Sequence, residues 1–211
     1  MKKFIEKLQF ITHDIPQLSH VQQTQIACES GAKWIQYRCF TKNEEDLLKD
    51  INQIAEICDD WGATLIVTDH VHLKGKADIQ GFHIEDMDAD FSSLRIQLGE
   101  ETTIGGSSNT VEGLIRLAKE GVDYAGFGPF KITTTKPNKA SLLGLKGYKE
   151  ATNLLKAQGI ELPVLAVGGV TLADVPELMK AGVFGIAVSA AINQAEDMAT
   201  AYEDFYREIA Q

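Results

Sequence analysis

The chain has 211 residues, 44% of them hydrophobic and 24% charged, with a net charge of −10 at pH 7. That balance suits one ordinary soluble domain with a sizeable core, or at most two small ones. It argues against nucleic acid or an anionic membrane as the main partner, and an anionic ligand would need a local basic cluster.

The opening MKKFIEKLQF is interrupted by Glu6 and Lys7, so no signal peptide is expected. No apolar run approaches membrane-spanning length, and the cytoplasm is the expected location. Gln9 to Thr12 reads as a first strand, followed by a helix from about Val21 to Ser30 that Gly31 stops. Trp34 to Arg38 is a second strand. Asn43 to Trp61 is a helix, with Leu47, Leu48, Ile51, Ile54, Ala55 and Cys58 at helical spacing and Asn43 as its N-cap. Thr64 to Thr68 is a third strand, His70 to Lys76 a short, poor helix, and Gly81 to Ile84 a fourth strand. Phe91 to Leu98 is a weak helix, Thr103 to Gly105 a fifth strand, and Thr110 to Glu120 a helix. Tyr124 to Gly126 is the sixth strand. The longest and most polar connection follows it, through Gly128-Pro129-Phe130 and Thr133-Thr134-Thr135-Lys136. Gly147 to Gln158 is a helix, Pro163 to Val167 a strand, Ala173 to Ala181 a helix, Gly185 to Val188 the eighth strand and Met198 to Ile209 the last helix.

Strands that alternate with helices pair in parallel through right-handed crossovers. Eight such units predict a single (β/α)8 TIM barrel over residues 1–211, with a doubly wound open sheet as the alternative. Trp34, Phe82 and Ile84 read as core, and His83 as a packed, hydrogen-bonded histidine. Cys28, Cys39 and Cys58 are odd in number and lack metal-type spacing, so they read as free thiols in a reducing compartment.

In such a barrel the site lies at the C-terminal ends of the strands. Asp69 and Asp88 follow neighbouring strands and could hold Mg²⁺, which needs only one or two carboxylates beside phosphate oxygens. Each could equally be a helix cap or turn residue. Gly168-Gly169 and Val188-Ser189 follow the last two strands, where barrels often bind phosphate through backbone amides. A tight turn is the plain alternative. Arg38 points to the mouth, with a surface salt bridge as its plain alternative. Hydroxyls and an ammonium in the long loop suit an oxyanion.

Together these residues resemble the thiamine phosphate synthase (thiamine-phosphate pyrophosphorylase) family. The long loop is similar to that family's GP-x-x-x-T-x-T-K, and Gly81-Phe-His-Ile followed by Asp88 to its GVHL-x-x-x-D. Gly105-Gly-Ser107 resembles its G-x-S turn, and Ala166 to Val170 and Gly185 to Ser189 its last two strand ends. The resemblance implies a transferase that joins hydroxymethylpyrimidine diphosphate to a thiazole phosphate, giving thiamine phosphate and pyrophosphate. It implies Mg²⁺ on Asp69 and Asp88, pyrophosphate contacts from Arg38 and Lys136, and Ser107 beside the reacting carbon. It also implies Gln36 and Thr68 at the pyrimidine, and Thr133, Thr135, Gly169, Val188 and Ser189 around the thiazole phosphate. Small-molecule substrates are the expected partners, and a homodimer is left open.

Two departures stand out. The family's second strand usually ends Q-x-R-x-K, whereas here it is Gln36-Tyr-Arg38-Cys-Phe40, so a pyrophosphate contact is lost unless Lys42 reaches in. The family's Asn-Asp after strand three is Thr68-Asp69 here. A thiazole tautomerase-like isomerase and a non-catalytic phosphate-ligand-binding paralogue are the competing readings.

Overall fold

The computed structural model describes residues 3–133 and 141–210. Its strands are β1 (Leu8–Ile11), β2 (Trp34–Tyr37), β3 (Thr64–Thr68), β4 (Gly81–Ile84), β5 (Thr103–Ser108), β6 (Tyr124–Phe127), β7 (Val164–Val167) and β8 (Gly185–Val188). They pair in parallel in chain order and close into a barrel, with Phe10 opposite Ile35 on one side and Val188 on the other. The helices are α1 (His20–Glu29), α2 (Glu44–Trp61), α3 (Phe91–Leu98), α4 (Val111–Lys119), α5 (Gly144–Ala157), α6 (Val175–Lys180), α7 (Ala190–Asn193) and α8 (Met198–Ile209). After β3 the chain makes only a 3₁₀ turn, Val71–Leu73. Among the described residues, no helix is long and apolar enough to cross a membrane.

The strands read as apolar runs because helices cover one face and the lumen the other. β2, β4, β6 and β8 are buried at every position. The helix ends follow local chemistry. Asn43 caps α2 by accepting from the Asp46 amide, and Gly62 ends it at φ +60°. Ser19 and Gln22 form a reciprocal box at the start of α1.

Side chains alternate across a strand, so the inward set is fixed by a period of two. Trp34, Ile66, Tyr124, Leu165 and Ala187 form a buried inner cluster, with Trp34 edge-on to Tyr124 at 4.7 Å. Two residues beyond Trp34 on the same face is Gln36, and two beyond that is Arg38. The same count leads from Ile66 to Thr68, from Tyr124 to Gly126 and from Leu165 to Val167. The inner cluster is therefore the floor on which the polar layer stands. Gly105 is needed there, because a Cβ on it would lie 2.2 Å from Cζ of Tyr124.

Three elements differ from expectation. β5 runs on through Ser108, so Gly105-Gly-Ser107 is strand rather than turn, with Ser107 opposite Gly126. Glycines lack the β-branched side chains that mark a strand, which hides the extension. The seventh helix starts as a 3₁₀ turn, Leu172–Asp174, held by a box between Thr171 and Asp174, and only then becomes α6. The short α7 has too few residues to show a period.

Candidate active site

A cavity of about 220 Å³ opens at the C-terminal ends of the strands. Of the predicted residues, Gln36, Arg38, Ser107, Thr133, Gly169, Val188 and Ser189 line it together. Thr68 does not line it but lies buried beneath, accepting a hydrogen bond from Nε2 of Gln36 at 3.0 Å. Asp69 is half-buried and Asp88 exposed, and neither is in the lining. Thr135 and Lys136 lie outside the described residues.

Arg38 is held on three sides. Its Nε donates to Oε1 of Glu85 at 2.7 Å, its guanidinium sits 4.5 Å from the Phe40 ring centroid, and its backbone N–H donates to Thr12 Oγ1 at 3.1 Å. The ion pair is largely buried, which sets it apart from a surface bridge. Glu85 lines the cavity and was not among the expected site residues. Its only signal in the sequence is its place one residue past β4. Lys42 does not take the place left open by Phe40. It pairs with Asp50 at 2.6 Å, and Asp50 also accepts from the Tyr37 hydroxyl, so Lys42 is tied to α2.

His83 is buried and hydrogen-bonded as expected, yet it also reaches the site. Gln9 Nε2 lies 3.1 Å from the Tyr124 hydroxyl, which lies 3.1 Å from Nδ1 of His83; Nε2 of His83 lies 3.0 Å from Oγ of Ser107. The amide nitrogen can only donate, so the Tyr124 oxygen accepts from it and can donate a hydrogen bond of its own to Nδ1. In that tautomer Nε2 carries the imidazole hydrogen and donates to Ser107, whose own hydrogen is left for the cavity. Burial pushes the Tyr124 phenol far above its ordinary range, which keeps that hydrogen in place.

Asp69 and His70 both have positive φ, +56° and +32°, a conformation that L residues seldom adopt. Asp69 is fixed there by its amide, which donates to the His83 carbonyl, and by Oδ1, which accepts from the Glu85 amide at 3.0 Å. Across the mouth, Gly168 and Gly169 have φ of +84° and +70°, and Cβ atoms on them would meet Pro129 and the Ile132 carbonyl at 2.8 and 2.6 Å. These glycines bring the β7 turn against the loop after β6, where Lys131 N–H donates to the Gly168 carbonyl. Gln36 Oε1 is buried and has no hydrogen-bond partner among the described residues. Such an atom costs about 1–3 kcal/mol unless a ligand satisfies it.

The chain is 40% identical over 192 residues to the thiamine-phosphate synthase of Bacteroides thetaiotaomicron, covering 91% of this chain and 92% of that one. It is 36% identical to the thiamine-phosphate synthase of Flavobacterium johnsoniae, covering 90% of each. Its fold matches the solved thiamine phosphate pyrophosphorylase of Pyrococcus furiosus with a TM-score of 0.84 at 25% identity, covering 97% of this chain and 95% of that one. Residues 8–192 match the family described as thiamine monophosphate synthase. The chain belongs to that family. As a thiamine monophosphate synthase family member, it is an enzyme of thiamine biosynthesis, and a transferase fits both family and fold. At the two positions where the sequence departs from the pattern that the resemblance implies, Phe40 supplies a ring to Arg38 and Thr68 accepts from Gln36, and neither lines the cavity.

Proposed function

We propose that the chain joins hydroxymethylpyrimidine diphosphate to hydroxyethylthiazole phosphate, releasing pyrophosphate and thiamine phosphate. The observation that carries this reading is Gln36, which lines the cavity and whose buried Oε1 has no hydrogen-bond partner among the described residues. An aminopyrimidine brings an N–H donor for it, while Nε2 stays with Thr68. In the reaction the bond from the pyrimidine methylene carbon to the diphosphate oxygen breaks, its electron pair leaving with the oxygen. The ring nitrogen of the thiazole then forms the new carbon–nitrogen bond, and no proton is lost from carbon.

The diphosphate gains charge as it leaves, so the site must supply preorganised positive charge and hydrogen-bond donors. Among the described lining residues, Arg38 is the only lysine or arginine, and Glu85 already faces it. A net balance near zero suits neither a diphosphate nor a second phosphate, so charge must come from elsewhere. Lys136 on the long loop supplies part of it in this reading. Mg²⁺ supplies the rest when bound, by screening the oxygens on which charge develops. The hard carboxylate oxygens of Asp69 and Asp88, after β3 and β4, fit that ion. Arg38 orients the leaving group, and Ser107 lies beside the reacting carbon. Thr133, Thr135, Gly169, Val188 and Ser189 hold the thiazole phosphate. On this reading, residues 1–211 act as one barrel domain on small molecules in the cytoplasm, alone or as a homodimer.

The test is a coupling assay with both substrates and Mg²⁺, following thiamine phosphate by chromatography. Product that depends on both substrates is expected. Isomerisation of the thiazole substrate without coupling, or saturable binding without product, would replace this reading with one of its competitors.

A further inference from the structure

A second group of ligating side chains lies outside the cavity lining, beside Arg38. Asp14 follows β1, His20 opens α1 and Cys39 follows β2. Oδ1 of Asp14 is 3.1 Å from Nε2 of His20 and 3.2 Å from Sγ of Cys39, and one ligand atom from each residue falls within 4.8 Å of the others. His20 and Cys39 are buried and Asp14 is half-buried. We propose that Asp14, His20 and Cys39 form a binding site for a thiophilic divalent cation, Zn²⁺ above all, distinct from any Mg²⁺ held by Asp69 and Asp88.

The donor set is the first argument. Thiolate, imidazole and carboxylate suit Zn²⁺, whereas Mg²⁺ takes oxygen ligands and keeps much of its water. Spacing is the second. Zinc bonds of about 2.0–2.3 Å in a tetrahedron set ligand atoms roughly 3.3–3.6 Å apart. The observed 3.1 and 3.2 Å need to open by only a few tenths of an ångström. Charge is the third, since one carboxylate and one thiolate balance a divalent ion. The outer groups are the fourth. Nδ1 of His20 is 2.8 Å from Thr12 Oγ1, and the ring stands edge-on to Tyr37 at 5.0 Å, which aims Nε2 at the trio. Asp14 is fixed by Phe40 N–H on Oδ2 and by the Thr41 hydroxyl on Oδ1.

Without metal, the thiol, the Thr41 hydroxyl and the imidazole all crowd Oδ1 of Asp14. Binding would release the thiol proton to solvent and leave the imidazole hydrogen on Nδ1, donating to Thr12. Thr12 Oγ1 also accepts from the Arg38 amide, so the ion would clamp the loops after β1 and β2 and position Arg38. The motif is invisible as a spacing because its members come from three different places in the chain.

The experiment is Co²⁺ titration of chelator-stripped full-length protein, followed by absorption. One equivalent of Co²⁺ should give a thiolate-to-cobalt charge-transfer band that Zn²⁺ displaces and excess Mg²⁺ does not. Cys39→Ser should lose the band, although Cys28 and Cys58 remain, and the Asp69→Asn, Asp88→Asn double variant should keep it. Zn²⁺ should also raise the melting temperature of the unsubstituted protein, a reading that stands if Cys39→Ser folds poorly. No band in the unsubstituted protein, an equal band in Cys39→Ser, or displacement by Mg²⁺ would overturn the proposal.

Discussion

Arg38 and Glu85 face each other across the barrel mouth, Nε to Oε1 at 2.7 Å, with both side chains largely withdrawn from water. Glu85 thus holds the guanidinium in shape for an anion while cancelling its charge. Glu85→Gln keeps the shape and removes the cancellation. Pyrophosphate should bind this variant about tenfold more tightly, a gain of about 1.4 kcal/mol, as isothermal titration would show. Arg38→Ala should do the reverse: it loses the anion contact and strands Glu85. Stability should fall by about 1–3 kcal/mol in urea, less than for a fully buried pair because Glu85 borders the cavity. Unchanged pyrophosphate affinity in Glu85→Gln would mean that Arg38 turns away from Glu85 when ligand arrives.

Phe40 stands where the sequence resemblance leads one to expect a lysine, and more than half of its surface is exposed. Its ring lies under Arg38, a contact worth about 0.5–1 kcal/mol at such a site. A lysine there would forfeit this but add a charge-assisted phosphate contact of about 1.5–3 kcal/mol. The second effect is larger. Phe40→Lys should therefore lower KM for the pyrimidine diphosphate by roughly fivefold, the equivalent of about 1 kcal/mol. Lys42 cannot mask the effect while it pairs with Asp50. A KM equal to or above that of the unsubstituted protein would count against a vacant phosphate contact.

The chain Gln9–Tyr124–His83–Ser107 orients Ser107, and Tyr124 within it does not line the cavity. Tyr124→Phe keeps the ring against Trp34 and removes the hydroxyl that sets the imidazole tautomer. It should lower kcat about fivefold, the scale of one net hydrogen bond, with little change in KM. Burial holds the Tyr124 phenol protonated well above neutral pH, so loss of its proton should add no alkaline limb to the rate profile of the unsubstituted enzyme. A fall in KM-dependent terms alone, with kcat intact, would make Tyr124 a packing residue only.

Much of this was legible from residue order. Apolar runs such as Thr64–Thr68 and Gly185–Val188, each bounded by glycine or a polar cap, fix eight parallel strands and hence the mouth. Strand ends then point to Arg38 and Ser189, and the family resemblance adds Gln36. Through-space partners were not legible. Glu85 looks like any acid after a strand until the barrel closes it onto Arg38. Gln9 and Tyr124 look like ordinary strand residues until the period of two turns both inward. Ser107 was found for the right end of β5 but assigned to a turn, because two glycines beside it conceal a strand.

Asp69 offers a clean way to separate charge from backbone. Its φ of +56° is one that asparagine tolerates better than most residues. Asp69→Asn should keep the β3 turn and its acceptor for the Glu85 amide while removing the carboxylate charge. Asp69→Ala loses both and adds strain, so it confounds folding with chemistry. If Asp69 and Asp88 hold Mg²⁺, excess chelator should abolish coupling in the parent enzyme. Asp69→Asn should then raise the Mg²⁺ concentration for half-maximal rate by roughly tenfold, about 1.4 kcal/mol of lost attraction, with its melting temperature nearly unchanged. Full activity in chelator would remove the metal from this reaction. An unchanged Mg²⁺ requirement in Asp69→Asn would leave Asp69 the role its hydrogen bonds already show, tying the end of β3 to β4.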